Sequence, residues 1–139
     1  MTDRIAPYAE ALSTVLGQEI VPSSESAVIL YLDGGQELTL TRDDEADVIR
    51  IVTPLHAAHD GLPAAMLDRL LQLNAPTEET AAAVLRRQRR SDCLELVNVI
   101  PGTVFPPESV ARLAVTQAEA AVALAHKIDA GLGADPAAT

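Results

Sequence analysis

His56, Ala57, Ala58, His59 and Asp60 make up the stretch of this chain with the plainest metal-ligand spacing. Two imidazoles three residues apart can face one ion, and Asp60 would add an oxygen. The constellation stops there. Ala57 stands where a His-Glu-x-x-His zinc helix carries its general-base glutamate, and the third histidine, His126, lies far along the chain. A metal-dependent hydrolase using His56, His59 and Asp60 is thus a lesser alternative to a polar loop between two elements. Ser23, Ser24 and Ser26 sit in a Pro-Ser-rich connection with no Gly-x-Ser-x-Gly elbow, which reads as a turn rather than a nucleophile. Cys93 is the single cysteine, so no internal disulfide and no thiolate metal cluster can form. It opens an apolar run, where a cysteine behaves as a small buried hydrophobe.

Two charged stretches complete the inventory. Arg86, Arg87, Arg89 and Arg90 hold four of the ten cations, with no aromatic residue between them. They suit a solvated hairpin tip, or a pairing with the acidic Asp43-Asp44-Glu45 stretch, better than a nucleic-acid site. Asp43, Asp44, Glu45 and Asp47 lack the spacing and the glycine of an EF-hand calcium loop, and read as a solvated turn. Gly34-Gly35 is not followed by the Lys-Ser/Thr of a phosphate loop. No catalytic residue, metal or cofactor is expected, and the chain does not read as an enzyme.

The elements that would position these residues follow from composition and periodicity. The 139 residues suit one domain, and 48% hydrophobic residues are ample for one packed core. Aromatics are only 2%, so the core is aliphatic and stacking platforms for bases or flat cofactors are disfavoured. A formal net charge of −10 repels phosphate backbones, which argues against nucleic acid as a partner. Met1 to Glu10 lacks a basic stretch followed by an apolar core. Apolar runs such as Ala27 to Leu32 fall far short of the roughly 20 residues that cross a bilayer. A cytoplasmic protein without a membrane partner is the expectation.

Ile5, Tyr8, Leu12, Val15 and Leu16 recur at helical steps and predict a first helix. Thr2 or Asp3 can cap it, Pro7 fits its first turn, and Gly17 ends it. Strands are predicted at Ala27 to Asp33, Glu37 to Arg42 and Val48 to Val52, the last closed by Pro54, with Gly34-Gly35 as a hairpin turn. A second helix runs from about Leu62 to Leu73, with Met66, Leu67, Leu70, Leu71 and Leu73 on a wide apolar arc. Thr80 to Arg86 and Cys93 to Ile100 read as two paired strands, though Ala81-Ala82-Ala83 favours helix on propensity alone. The last helix extends from near Pro107 to about Ala130, with Val110, Leu113, Gln117, Ala121, Leu124 and Ile128 on one face. The expected fold class is α+β in the order α-β-β-β-α-β-β-α: helices on an antiparallel five-stranded sheet, one domain over 1–133 and a frayed tail at 134–139.

Leu67 to Asn74, reading Leu-Asp-Arg-Leu-Leu-Gln-Leu-Asn, resembles the end of the second helix in class I type III secretion chaperones of the Tir-chaperone family. The element order covers nearly the whole chain, and the small acidic character agrees. Ala81 to Ala83 depart from the family, whose fourth strand often has bulkier residues and a glycine. The resemblance implies a bacterial cytoplasmic homodimer that holds the N-terminal chaperone-binding segment of a secreted effector. It would keep that segment extended and secretion-competent without ATP. It also implies self-association through the second helix and one end of the sheet, for which Leu70, Leu71, Leu73, Val84 and Leu85 are the candidates. The other edge, Val28 to Leu32, would receive an effector strand, with Val28, Leu30 and Leu32 as its contacts and Ile5, Tyr8 and Leu12 as flanking pockets. The alternative within the same fold is a regulatory protein-binding module with no secretion client.

Overall fold

The computed structural model describes residues 5–32, 35–55, 84–87, 94–102 and 104–133, with the backbone alone at 84–87 and 127–133. The predicted helix at Leu62 to Leu73, the start of the fourth strand at Thr80 to Ala83 and the tail at 134–139 lie outside these residues.

Helix α1 spans Ala6–Leu16. Ile5 occupies the N-cap position with no side-chain hydrogen bond, and Pro7 removes one of the amides that a cap would serve. Thr2 and Asp3 fall outside the described residues. Gly17 ends the helix as its spacing predicts: φ is 70°, and its N–H donates to Ser13 O at 2.9 Å.

Strands β1 (Ala27–Tyr31), β2 (Glu37–Asp43) and β3 (Val48–Leu55) form an antiparallel meander. β4 (Val84–Arg87) and β5 (Leu94–Pro101) pair antiparallel, and β5 docks on β3, so the order is β1-β2-β3-β5-β4. The expected stop at Pro54 is incorrect, because β3 continues through it to Leu55. Pro54 O accepts from Gln36 Nε2 at 2.6 Å, so the backbone of Pro54 points to the β2 side, beyond the last paired residues Thr39 and Val52. Its missing N–H therefore removes no bond to β5, the condition under which proline is tolerated in a strand.

Burial alternates strictly along β1, β2 and β3 and divides their two faces. Val28, Leu30, Leu38, Leu40, Ile49, Ile51 and Ile100 face the helices and join Ile5, Tyr8, Ala9 and Leu12 of α1 in one core. Helix α2 (Pro107–Gly133) packs on α1 and lies across β2, β3 and β5. Its buried stripe of Val110, Ala111, Ala114, Ala118, Ala121 and Leu124 is mostly alanine, which lets the helix axis sit close to the strands. Gln117 lies in that stripe, fully buried. Its Nε2 is 3.0 Å from both Ile51 O and Leu96 O and 3.3 Å from Thr53 Oγ1, tying β3 and β5 together beneath the helix.

A second polar anchor closes the far end. Arg42 is buried, with Nε on Asp44 Oδ1 at 3.1 Å, Nη2 on Asp47 Oδ1 at 2.8 Å and Nη1 on Gly102 O at 3.1 Å. Gly102 N–H returns to Asp47 O at 2.8 Å. A Cβ on Gly102 would collide with Arg42 Nη1 and meet Asp47 Oδ1 at 2.6 Å, so any larger residue must push the guanidinium aside. The β2–β3 turn is thereby fixed to the end of β5.

Candidate functional site

The sheet edge at β1 is the candidate site, and the even- and odd-numbered residues of the strand direct their backbone groups to opposite sides. Arg42 N–H donates to Ser26 O at 2.8 Å and Leu32 N–H to Gln36 O at 2.8 Å. With Val28 opposite Leu40 and Leu30 opposite Leu38, the even-numbered residues direct their backbone groups at β2. Ala27, Ile29 and Tyr31 direct theirs outward. Part of that outward row is occupied: Ala27 O accepts from Ser23 N–H at 2.8 Å and Ser24 N–H at 3.2 Å, and Ile29 N–H donates to Ser23 Oγ at 3.1 Å. Ile29 C=O and both backbone groups of Tyr31 point outward with no hydrogen bond to a described residue.

The side chains on the outer face complete the site. Ile29 is 44% exposed and Tyr31 66% exposed, on the side of the sheet opposite the helices. Register sets Ile29 in a row with Thr39, Val52 and Val97, and Tyr31 beside Glu37. On the helix side a cavity of about 290 Å³ opens beyond the end of β1, lined by Leu16, Gln18, Leu32, Gln36, Val115, Ala118, Glu119 and Val122.

The structure places the expected effector-contacting residues as follows. Ile5, Tyr8, Leu12, Val28 and Leu30 are core, and their side chains meet one another and α2 rather than solvent. Leu32 is half-buried and lines the cavity. The exposed side chains of that edge are Ile29 and Tyr31, which lie within the expected edge Val28 to Leu32 but are not singled out by the sequence. Ala27 to Tyr31 is apolar at every position, so no polar alternation marks the outer face; only the partner strand, with Leu38 and Leu40 inward, fixes which residues turn out. Of the expected self-association residues, Val84 and Leu85 lie in β4, whose described neighbour is β5 alone. Leu70, Leu71 and Leu73 lie outside the described residues.

The remaining candidates also find places. His56, His59, Asp60 and Cys93 lie outside the described residues. Among the described residues no group of three His, Cys, Asp or Glu is placed to hold a metal ion. The hydroxyls of Ser23 and Ser24 accept backbone N–H groups, from Ile29 and Ser26, in keeping with a turn. Among the described residues, the acidic stretch meets cations of β2 and β3. Asp44 and Asp47 hold Arg42, and Asp43 Oδ2 meets Arg50 Nη1 at 3.4 Å. The Ala46 N–H on Asp43 Oδ1, then the Arg50 guanidinium, hold the Asp43 carboxyl below the usual aspartate range. Arg86 stands opposite Glu95 in the β4–β5 register. Among the described residues no helix is long and apolar enough to cross a membrane.

No family model matches the chain, and no curated protein matches it by sequence. Solved structures do match by fold. A chain of the HopA1–SchA chaperone–effector complex superimposes with a TM-score of 0.67 at 18% identity, over 85% of this chain and 90% of that one. A chain of the heterodimeric ExoU–SpcU complex from the type III secretion system of Pseudomonas aeruginosa gives 0.62 at 21% identity, over 87% and 93%. The Yersinia pestis type III secretion chaperone SycH in complex with a stable fragment of YscM2 gives 0.62 at 15% identity, over 84% and 96%. The α+β arrangement of antiparallel sheet and packed helices is thus the fold found in type III secretion chaperone–effector complexes.

Proposed function

We propose that this protein is a type III secretion chaperone of the Tir-chaperone type. It binds the N-terminal chaperone-binding segment of a secreted effector in the bacterial cytoplasm and keeps it soluble and extended. The binding uses no ATP and no cofactor, and the protein has no catalytic role. The observation that carries the reading is the outer half of β1, where two large apolar side chains, Ile29 and Tyr31, flank outward backbone groups. Among the described residues no strand pairs with this side of β1, and such an edge is a ready template for another strand. The fold likeness to chains from chaperone–effector complexes supports the same reading.

The working particle in this reading is a homodimer. Its contact is built from the β4 edge with Val84 and Leu85, together with Leu70, Leu71 and Leu73. That arrangement keeps the two functions at opposite ends of the sheet, since β1 and β4 are its outer strands.

The test is copurification from the native cell, followed by identification of the bound chain and of its protease-protected segment. A secreted protein protected over a segment near its N-terminus is the expected result. A chain that emerges monomeric, with no polypeptide bound, overturns the proposal.

A further inference from the structure

The β1 edge is not uniformly available, and the residue that divides it is Ser23. The segment before β1 folds back along the strand. Its Oγ takes the Ile29 N–H at 3.1 Å, and the N–H groups of Ser23 and Ser24 take Ala27 O at 2.8 and 3.2 Å. These are the bonds that an added strand would make over the first half of β1. From this we infer that Ser23 is a plug that sets the register of strand addition, confining an incoming segment to Ile29 C=O and the two backbone groups of Tyr31. The inference rests on the chaperone reading for the identity of the strand, but not for the existence of the plug.

The occupant is an extended segment of a partner protein, apolar opposite Ile29 and basic opposite Tyr31. Ile29 offers an exposed aliphatic surface in the row of Thr39 and Val52, which favours an apolar or β-branched residue beside it. Tyr31 is adjacent in register to Glu37, so a lysine or arginine opposite Tyr31 can lie over the ring toward the carboxylate. The net charge of −10 acts in the same direction over longer range. A strand laid in this register has its next residue beyond Tyr31 on the helix side, beside the cavity at Leu32 and Leu16.

Amide hydrogen exchange on the full chain tests the plug without a partner. The Ile29 amide should exchange about tenfold more slowly than the Tyr31 amide, the factor that one hydrogen bond of typical net strength supplies. The gap should vanish in Ser23→Ala and return in Ser23→Thr. Equal exchange at the two amides in the native chain, or a gap indifferent to Ser23→Ala, overturns the inference.

Strand addition is tested with a ten-residue peptide of alternating valine and lysine, read by amide chemical shifts, with a valine–glutamate peptide as control. The lysine peptide should shift Tyr31 but not Ala27 in the native chain, extend to the Ile29 amide in Ser23→Ala, and act more strongly than the control. Shifts at Ala27 in the native chain, or none at Tyr31 in either form, overturn the assigned register. The two readings fail separately. An intact exchange gap in a chain that captures no effector removes the chaperone and leaves the plug, whereas a captured effector with freely exchanging Ile29 removes only the plug.

Discussion

Arg42 Nη2 and Asp47 Oδ1 meet at 2.8 Å across the β2–β3 turn, with the arginine side chain 7% exposed and the aspartate 54%. The pair is asymmetric: the aspartate retains water, while the guanidinium has exchanged nearly all of its water for Asp44, Asp47 and Gly102 O. Arg42→Met keeps the apolar stem and removes the fork. It should destabilise the fold by about 2 kcal/mol, mostly from the buried Gly102 carbonyl, which is left with the Tyr8 hydroxyl at 3.4 Å, because exposed carboxylates rehydrate at little cost. Arg42→Lys should recover only part of this, since one ammonium cannot span the three acceptors. Chemical denaturation of the three forms measures both effects.

Gly102→Ala probes the same corner from the other side. The new methyl must displace the guanidinium, at a cost of about 1–3 kcal/mol. If the collision is with Arg42, the loss combined with Arg42→Met should be smaller than the sum of the two single losses. A strictly additive double-mutant cycle would place the strain elsewhere.

At the middle of the sheet, Gln117→Met retains length but not the amide. Ile51 O and Leu96 O then lose a buried donor, and stability should fall by about 1–3 kcal/mol. Faster amide exchange confined to β3 and β5 would locate the loss, whereas uniform acceleration would count against a local tie.

Inward and outward residues of β1 should respond oppositely to the same substitution. Leu30→Asp buries a carboxyl in the core and should cost at least about 3 kcal/mol, enough to populate unfolded chain. Ile29→Asp and Tyr31→Asp should leave the melting transition within a few degrees of the native protein but abolish effector capture. Loss of fold in all three, measured by circular dichroism and gel filtration, would contradict the assignment of faces.

Asp43 gives a pH dependence with a definite sign. Its carboxyl titrates lower in the folded chain than in the unfolded one, because the Ala46 amide and then Arg50 favour the charged form. That stability is fully present above the unfolded value of about 3.9 and is lost as pH falls through the folded value. Asp43→Asn should therefore be less stable than the native chain at neutral pH, with the difference shrinking below about pH 4. A difference independent of pH would assign the effect to the Asx-type bond with Ala46 alone.

Much of this architecture is legible in the residues because local chemistry and global packing agree. Gly17 ends α1 where the apolar stripe stops, and Gly35 reaches φ 85° in the hairpin between β1 and β2. Leu38 and Leu40 alternate with threonines and so declare their faces. Pro54 misleads, because the cost of a proline depends on which neighbour its nitrogen faces, and register is a tertiary property. Ile29 and Tyr31 are hidden for a related reason: an all-apolar strand carries no sign of which side meets water. Arg42 could not be found among ten cations without the fold, since its three acceptors are gathered from the β2–β3 turn and the end of β5.

The pairing of Leu55 with Leu94 joins positions about forty residues apart, whereas β1, β2 and β3 connect through short turns. Closing the longer loop costs more chain entropy and delays non-local contacts, so the meander forms early and the β3–β5 seam late. During synthesis on the ribosome, β3 therefore waits without its second neighbour, at the stage when chains most readily aggregate. Ser23 and Ser24 precede β1 in sequence and emerge with it, so the first half of one side of the nascent meander is already guarded while the other side is still being made.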